Sequence, residues 1–242
     1  MRTFIFAVAT LAAASVHASW WNDCDKSASR SAAIASAGIT RVVIIGRAGF
    51  LHIDGRSGAT EIRASGTACA PSQESLNETT LTVTRSGSEV RVEAHMPRNS
   101  ELFFGSSPRL DFSVALPAGM AIDVDDTSGE LTIANSGNTV VNDTSGGIEI
   151  RHVNGNVTVR DTSGEIVIED VTGNVHIPSD SSGSIDVRRV SGSVAIDEDG
   201  SGSITVADVG GDFTLGSKGS GSVDYERVKG RVSVPSRNRH RD

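Results

Sequence analysis

The chain is poor in aromatic residues, proline and cysteine, and it has no excess of positive charge. Among 242 residues, aromatics make up 4%, and there are 6 prolines and 2 cysteines. So few rings are unlike an enzyme core and leave little for a surface that stacks nucleic-acid bases. A formal net charge of −8 also argues against a nucleic-acid partner. The cysteines form no CxxC pair and no Cys/His metal spacing. G-x-S-x-G, H-E-x-x-H and P-loop patterns are absent. His52, His95, His152, His176 and His240 are scattered without ligand spacing. These absences point to a protein that is not an enzyme and carries no cofactor. Beyond residue 18 no apolar run approaches the roughly 20 residues of a membrane helix.

What the chain does have is a leader, a pair of cysteines and a repeat. Arg2, the apolar TFIFAVATLAAA and the small residues around Val16-His17-Ala18 read as a signal peptide over residues 1–18, cut after Ala18. Export places the protein in the periplasm, at the cell surface or outside the cell. That compartment is oxidising, so Cys24 and Cys69 are expected to form one disulfide. It ties the mature N-terminus to a later loop and contributes on the order of 3–4 kcal/mol by the loop-entropy argument. Trp21, Asn22 and Asp23 do not make Cys24 part of a lipobox.

Glycine is plentiful, with 26 residues, and from residue 129 it becomes periodic. It recurs at 129, 137, 146, 155, 164, 173, 183, 192, 202, 211, 221 and 230. Two corners alternate: a Ser-Gly corner and, after the first repeat, a Val-x-Gly corner. Two and four residues after each glycine the side chains are apolar, as in Ile148/Ile150, Ile166/Ile168, Val157/Val159 and Val175/Ile177. Alternation with a period of two is strand, not helix. Two short strands, each with one apolar face, bury those faces if the chain coils and they look inward. The expected fold is all-β: a single-stranded β-solenoid of about 18 residues per turn, with an irregular N-terminal β portion. Residues 19–39 read as an N-terminal extension, 40–125 as an irregular β cap or early turns, 126–234 as a six-turn solenoid and 235–242 as a basic tail.

Each corner carries its own charge pattern. Three residues before the Val-corner glycine stand His152, Asp170, Arg189, Asp208 and Arg227, and one position earlier stand Arg151, Glu169, Arg188, Ala207 and Glu226. Signs alternate, so stacked neighbours attract and the register is favoured. Three residues before the Ser-corner glycine stand Asp126, Asp143, Asp161, Asp180 and Asp199, then Lys218. The ten-residue gaps also fall here, which predicts a looser edge. Stacked carboxylates repel unless something offsets them. Each carboxylate can accept from backbone N–H in an Asx turn, solvated and already satisfied. Alternatively Asp143, Asp161 and Asp180 are the residues a Ca²⁺ ion would take. The sequence lacks the calcium-binding nonapeptide, and no metal site is assigned from it.

Upstream, TRVVII (40–45), FLHID (50–54), ATEIRA (59–64), TTLTVTR (79–85), EVRVEA (89–94) and RLDFSVALP (109–117) read as strands with longer loops at 65–78 and 95–108. The leader, this irregular half, the LPAGMAIDV stretch (116–124) and the phrases TSGELTI, TSGGIEI and TSGEIVI together resemble the bacterial putative-adhesin family of exported β-strand-repeat proteins. The resemblance implies a single-stranded β-helix with a surface or adhesion role, and it supplies no catalytic residues. The sequence therefore leads to an exported, non-enzymatic binding or scaffold module of the cell envelope. Its partner would be an unidentified envelope protein or glycan, or another copy of itself. The alternative is a carbohydrate-active β-helix enzyme, which would need long loops and a cleft that residues 126–234 do not supply.

Overall fold

In the computed structural model, residues 24–97 and 107–235 are described. Residues 1–23, which include the expected leader, residues 98–106 of the expected loop at 95–108 and residues 236–242 of the expected tail lie outside them. The first elements are β1 (Lys26–Ala35), β2 (Arg41–Ile45), β3 (Leu51–Arg56), β4 (Glu61–Ala70), the helix α1 (Gln73–Glu78), β5 (Thr80–Ser86), β6 (Glu89–His95), β7 (Arg109–Pro117) and β8 (Ala121–Asp125). The repeats follow as β9 (Leu131–Ala134), β10 (Thr139–Asn142), β11 (Ile148–Val153), β12 (Val157–Arg160), β13 (Ile166–Val171) and β14 (Val175–Ser179). They continue as β15 (Ile185–Val190), β16 (Val194–Ser201), β17 (Ile204–Val209), β18 (Phe213–Ser220), β19 (Val223–Val228) and β20 (Val232–Ser233).

From β9 onward, successive strands alternate between two sheets, and each pairs in parallel with the strand one repeat away. One sheet has the order β1-β4-β7-β3-β9-β11-β13-β15-β17-β19 and the other β20-β18-β16-β14-β12-β10-β8-β2-β6-β5. The register joins like to like: Ile148 to Ile166, Ile166 to Ile185, Ile185 to Ile204. In the other sheet Val157 meets Val175, Val175 meets Val194 and Val194 meets Phe213. These apolar columns are buried between the sheets. Neither sheet closes on itself, so there is no barrel.

The acidic corner is tighter than the sequence suggested. The first ten-residue gap enters as an irregularity between β12 and β14, where Thr158 pairs with His176 but Arg160 pairs with Ser179. Pro178 lies in the shifted stretch, where a residue without an N–H costs no ladder bond. Beyond it the corner itself pairs: Asp180 bridges Asp199, and β16 and β18 join Asp199 to Lys218 and Ser201 to Ser220. The extra residue lengthens the ladder and does not loosen the edge.

All six strands expected between residues 40 and 117 are present, and three elements were not expected. β8 forms within LPAGMAIDV. The expected loop at 65–78 holds the second half of β4 and α1, whose N-cap Ser72 side chain accepts from Ser75 N. β1 lies in the presumed extension and pairs antiparallel with all of β4. The layers are also out of chain order. β2 and β3 sit directly against β8 and β9, while β6 and β7, later in sequence, sit outside them. Outermost are β4, β1 and β5, all antiparallel to their neighbours. Arg30 ties this end together by donating from Nε to Thr79 O (2.8 Å) and from Nη2 to Leu76 O (2.6 Å), the last turn of α1. Cys24 and Cys69 form a disulfide with Cα atoms 5.6 Å apart, fixing the start of β1 to β4.

Candidate functional site

Two corners run the length of the stack, and each lines up one kind of side chain layer upon layer. At the bend near the end of β9, β11, β13, β15, β17 and β19, Asn135, His152, Asp170, Arg189, Asp208 and Arg227 all adopt left-handed backbone, with φ between 52° and 59°. That conformation costs a residue with a Cβ roughly 1–2 kcal/mol. It persists because the same bend recurs in every layer and the side chains bond to one another. Arg189 donates to Asp170 from Nε (2.6 Å) and Nη2 (3.1 Å), and His152 Nε2 stands 3.6 Å from the same carboxylate. Arg227 repeats the fork on Asp208 at 2.5 and 2.9 Å. The guanidinium of Arg189 holds the Asp170 carboxyl below the usual carboxylate range, and Arg227 does the same for Asp208. Asn135 Nδ2 continues the column to Asp54 (3.0 Å).

The predicted charge ladder therefore forms at this position. The neighbouring column forms only in part. Glu169 takes Arg151 (3.3 Å) and Arg189 (3.0 Å), while Arg188 turns to Asp186 on its own strand (2.7 Å).

A second ladder at the same corner was not read from the sequence. Asn156 N donates to Asn138 Oδ1, Asn174 N to Asn156 Oδ1 and Ser193 N to Asn174 Oδ1, each at 2.8 Å. Asp212 N then donates to Ser193 Oγ (3.0 Å) and Arg231 N to Asp212 Oδ1 (2.7 Å). The signal was available: the residue after every Val-corner glycine but the last is a short polar one that can accept. Along this corner runs a groove of about 990 Å³, lined by Asp170, Thr172, Arg189, Ser191, Asp208, Arg227 and Lys229 among others.

The aspartate column lies at the opposite corner, and it corrects the expectation of solvated carboxylates. Asp126, Asp143, Asp161, Asp180 and Asp199 are between 3% and 7% exposed. The carboxylates do cap their own bends, but mostly from one residue on: Asp126, Asp143 and Asp161 each accept through Oδ1 from the next residue's N–H, at 2.8, 2.7 and 2.7 Å, and Asp161 also accepts from two residues on, Ser163 N at 3.3 Å. The remaining oxygens point into the structure with no partner. Burial pushes Asp126 up to about 7 and Asp180 up to about 6, and raises Asp143 and Asp161 in the same direction. Lys218, in the sixth layer, bonds Asp199.

Asp143, Asp161 and Asp180 are thus brought into one column. Among the described residues no group of three or more His, Cys, Asp or Glu is arranged to hold a metal ion. The described histidines stay apart: His52 bonds Thr132, His95 bonds Thr82 and His176 bonds Asp197. No described helix is long and apolar enough to cross a membrane.

No protein-family model matches the chain, and no curated protein matches it. Among solved structures, a putative cell adhesion protein from Clostridium sporogenes matches 86% of this chain and 98% of its own at 11% identity and a TM-score of 0.34. A putative lipid binding protein from Parabacteroides distasonis matches 85% and 97% at 12% identity and a TM-score of 0.40. A putative adhesin from Bacteroides fragilis matches 87% and 98% at 12% identity and a TM-score of 0.34. At these TM-scores the likeness assigns neither a fold nor a function to this chain.

Proposed function

We propose that this protein is an exported, non-enzymatic β-solenoid that serves as a binding or scaffold module of the cell envelope. Residues 1–18 are its signal peptide, 19–39 an N-terminal extension that contributes β1, 40–125 an irregular β cap or early turns, 126–234 six stacked turns and 235–242 a basic tail. The binding face is the grooved corner. One observation carries this reading. From Asp170 to Arg227 the groove carries one charged side chain per layer at a left-handed bend, joined across layers in two ion pairs, with no inserted loop to wall off a cleft. Layers in a parallel stack lie about 4.8 Å apart, so the face presents a periodic lattice of donors and acceptors. Such a lattice suits an extended polar chain, a glycan or a peptide strand, better than a compact substrate. Every acid of the groove is already engaged by an arginine, which leaves no free acid and base flanking a scissile bond.

A glycan array combined with a polysaccharide-degradation assay on the purified protein tests the proposal. Retention of one or more glycans, lost on Arg189→Ala with Arg227→Ala and without release of reducing ends, is the expected result. Reducing-end release would establish the carbohydrate-active alternative. Capture of an envelope protein on the same face, with no glycan retained, would leave the module standing and change its ligand. Retention that survives both substitutions would remove the groove from the proposal.

A further inference from the structure

Among the described residues, the buried side-chain oxygens without a hydrogen-bond partner all belong to the aspartate column. Its backbone N–H groups are already used. The N–H groups of Asp126, Asp143, Asp161 and Asp180 donate across layers to Asn142, Arg160, Ser179 and Glu198 carbonyls at 2.9, 2.9, 3.1 and 3.0 Å. Successive carboxyl groups are therefore one strand spacing apart, about 4.8 Å. Buried and without a partner are Oδ2 of Asp126, Asp143 and Asp161, both oxygens of Asp180, and Oδ1 of Asp199. A carboxylate is an acceptor only, so a stack of ionised acids contains no donor of its own. Adjacent negative charges also repel, and here water does not screen them. The sequence resolves this at one end alone. In the sixth layer Lys218 replaces aspartate, bonds Asp199, and donates to Gly202 O (2.8 Å) and Ser220 O (2.9 Å). Four acids remain without such a cation.

We propose that the column is a proton-binding site: in the folded protein Asp126, Asp143, Asp161 and Asp180 take up protons, and the run ends where Lys218 bonds Asp199. A protonated carboxyl carries no charge and gains a donor, so one proton per acid removes the repulsion between layers and supplies the O–H that an ionised stack lacks. Desolvation raises all four acids. The charge of Asp143 adds to the effect at Asp126, that of Asp161 at Asp143, and those of Asp161 and Asp199 at Asp180. The charged groups facing the column are its own five acids, Lys218 at one end and Arg47 near Asp126 at the other. Protons fit better than Ca²⁺, which requires six to eight oxygens around one point; each layer here offers a single acid.

The consequence is a fold that tightens on acidification. An acid whose folded pKa lies above its unfolded value near 3.8 binds its proton more strongly in the folded state. The stability it lends is fully present below that unfolded value. It is lost as pH rises through the folded value, here the window from about 6 to about 7 marked by Asp180 and Asp126. Domains held by ionised carboxylates lose stability on acidification instead, mostly below about pH 5.

The test is thermal melting of the full chain from pH 8 to pH 5, for wild type and for Asp161→Asn with Asp180→Asn, with and without millimolar Ca²⁺. Asparagine keeps the acceptor for the turn and carries a permanent N–H donor. The wild type should gain several degrees on acidification. The double variant should melt higher than wild type at pH 8 and show a flatter profile. Every other ionisable group is common to both proteins, so the difference between profiles is the readout. A carboxyl-carbon NMR titration of the wild type gives an answer even if the variant fails to fold: at least two aspartates should titrate above pH 5.5. If every aspartate titrates at ordinary values below about 4.5, the proposal is wrong. It is equally overturned if Ca²⁺ raises the wild-type melting temperature at pH 8 and the double variant loses that rise, because the missing partner would then be a metal ion.

Discussion

A single atom decides several positions in this protein. At the Ser-Gly corner, Gly146, Gly164, Gly183 and Gly202 stack with φ between 130° and 147°. A Cβ on Gly164 would overlap the carbonyl oxygen of Gly146 in the layer before it. The repeat of Ser-Gly thus marks where two backbones touch, and the conformational freedom of glycine is only half of the reason for it. Gly164→Ala should destabilise the protein by about 3 kcal/mol or more, since both the clash and the positive φ must be relieved by shifting layers apart. Urea denaturation measures this, and a midpoint equal to that of wild type would refute the close approach. The left-handed residues of the other corner differ in kind. Asp170, Arg189 and Asp208 bear side chains at positive φ because the space outside that bend is open and the ladder bonds offset the strain.

At the scale of the element, pairing between layers matters more than the content of any strand. β10, β12 and β9 are four residues each, far too short to persist alone. What holds them is the ladder on either side, together with the side-chain ladder of Asn138, Asn156, Asn174 and Ser193 that takes up N–H groups where the chain bends. Asn156→Ala removes the acceptor for the Asn174 amide without disturbing the apolar columns. The expected cost is about 1 kcal/mol. Amide hydrogen exchange should accelerate at Asn174 while Val175 and Ile177 stay protected. Uniform loss of protection across β12 and β14 would mean that the asparagine ladder supports the whole corner and not one bond.

At the scale of the molecule, the two ends differ. One is closed by β1, β4, β5 and α1, tied by Arg30 and by the Cys24–Cys69 disulfide. At the other, Tyr225 is 49% exposed and the columns of Val223, Val228 and Val232 are only partly covered among the described residues. Unfolding should therefore begin at the last layers, and the disulfide should act on the end that holds β1 and β4. The bond closes a loop of 45 residues, for which the entropy argument gives on the order of 4 kcal/mol. Cys24→Ser with Cys69→Ser should lower the melting temperature by several degrees and expose β1 to proteolysis while the repeats stay protected. Mass spectrometry of a non-reducing digest should recover the two cysteines in one linked peptide pair. Two alkylatable thiols in exported material would contradict it.

The sequence by itself determined the repeat, the alternation of inward and outward side chains, and the paired charges of the grooved corner. All of these are periodic and local: a strand shows its buried face at every second residue, and identical layers place identical residues together. The six strands upstream were legible for the same reason. Only the tertiary structure decided what depends on partners far apart in the chain. That β2 and β3 lie between β8–β9 and β6–β7 follows from which edge is left free when the later strands form, and no local pattern records it. β1 was hidden because KSASRSAAIA lacks strong alternation and is held by β4 and the disulfide. Above all, the spacing of the aspartates was plain in the sequence but their direction was not. Whether a corner residue faces water or the core depends on the backbone angles of the bend, which periodicity does not encode. That turn inward is what converts a row of surface acids into a buried column short of donors.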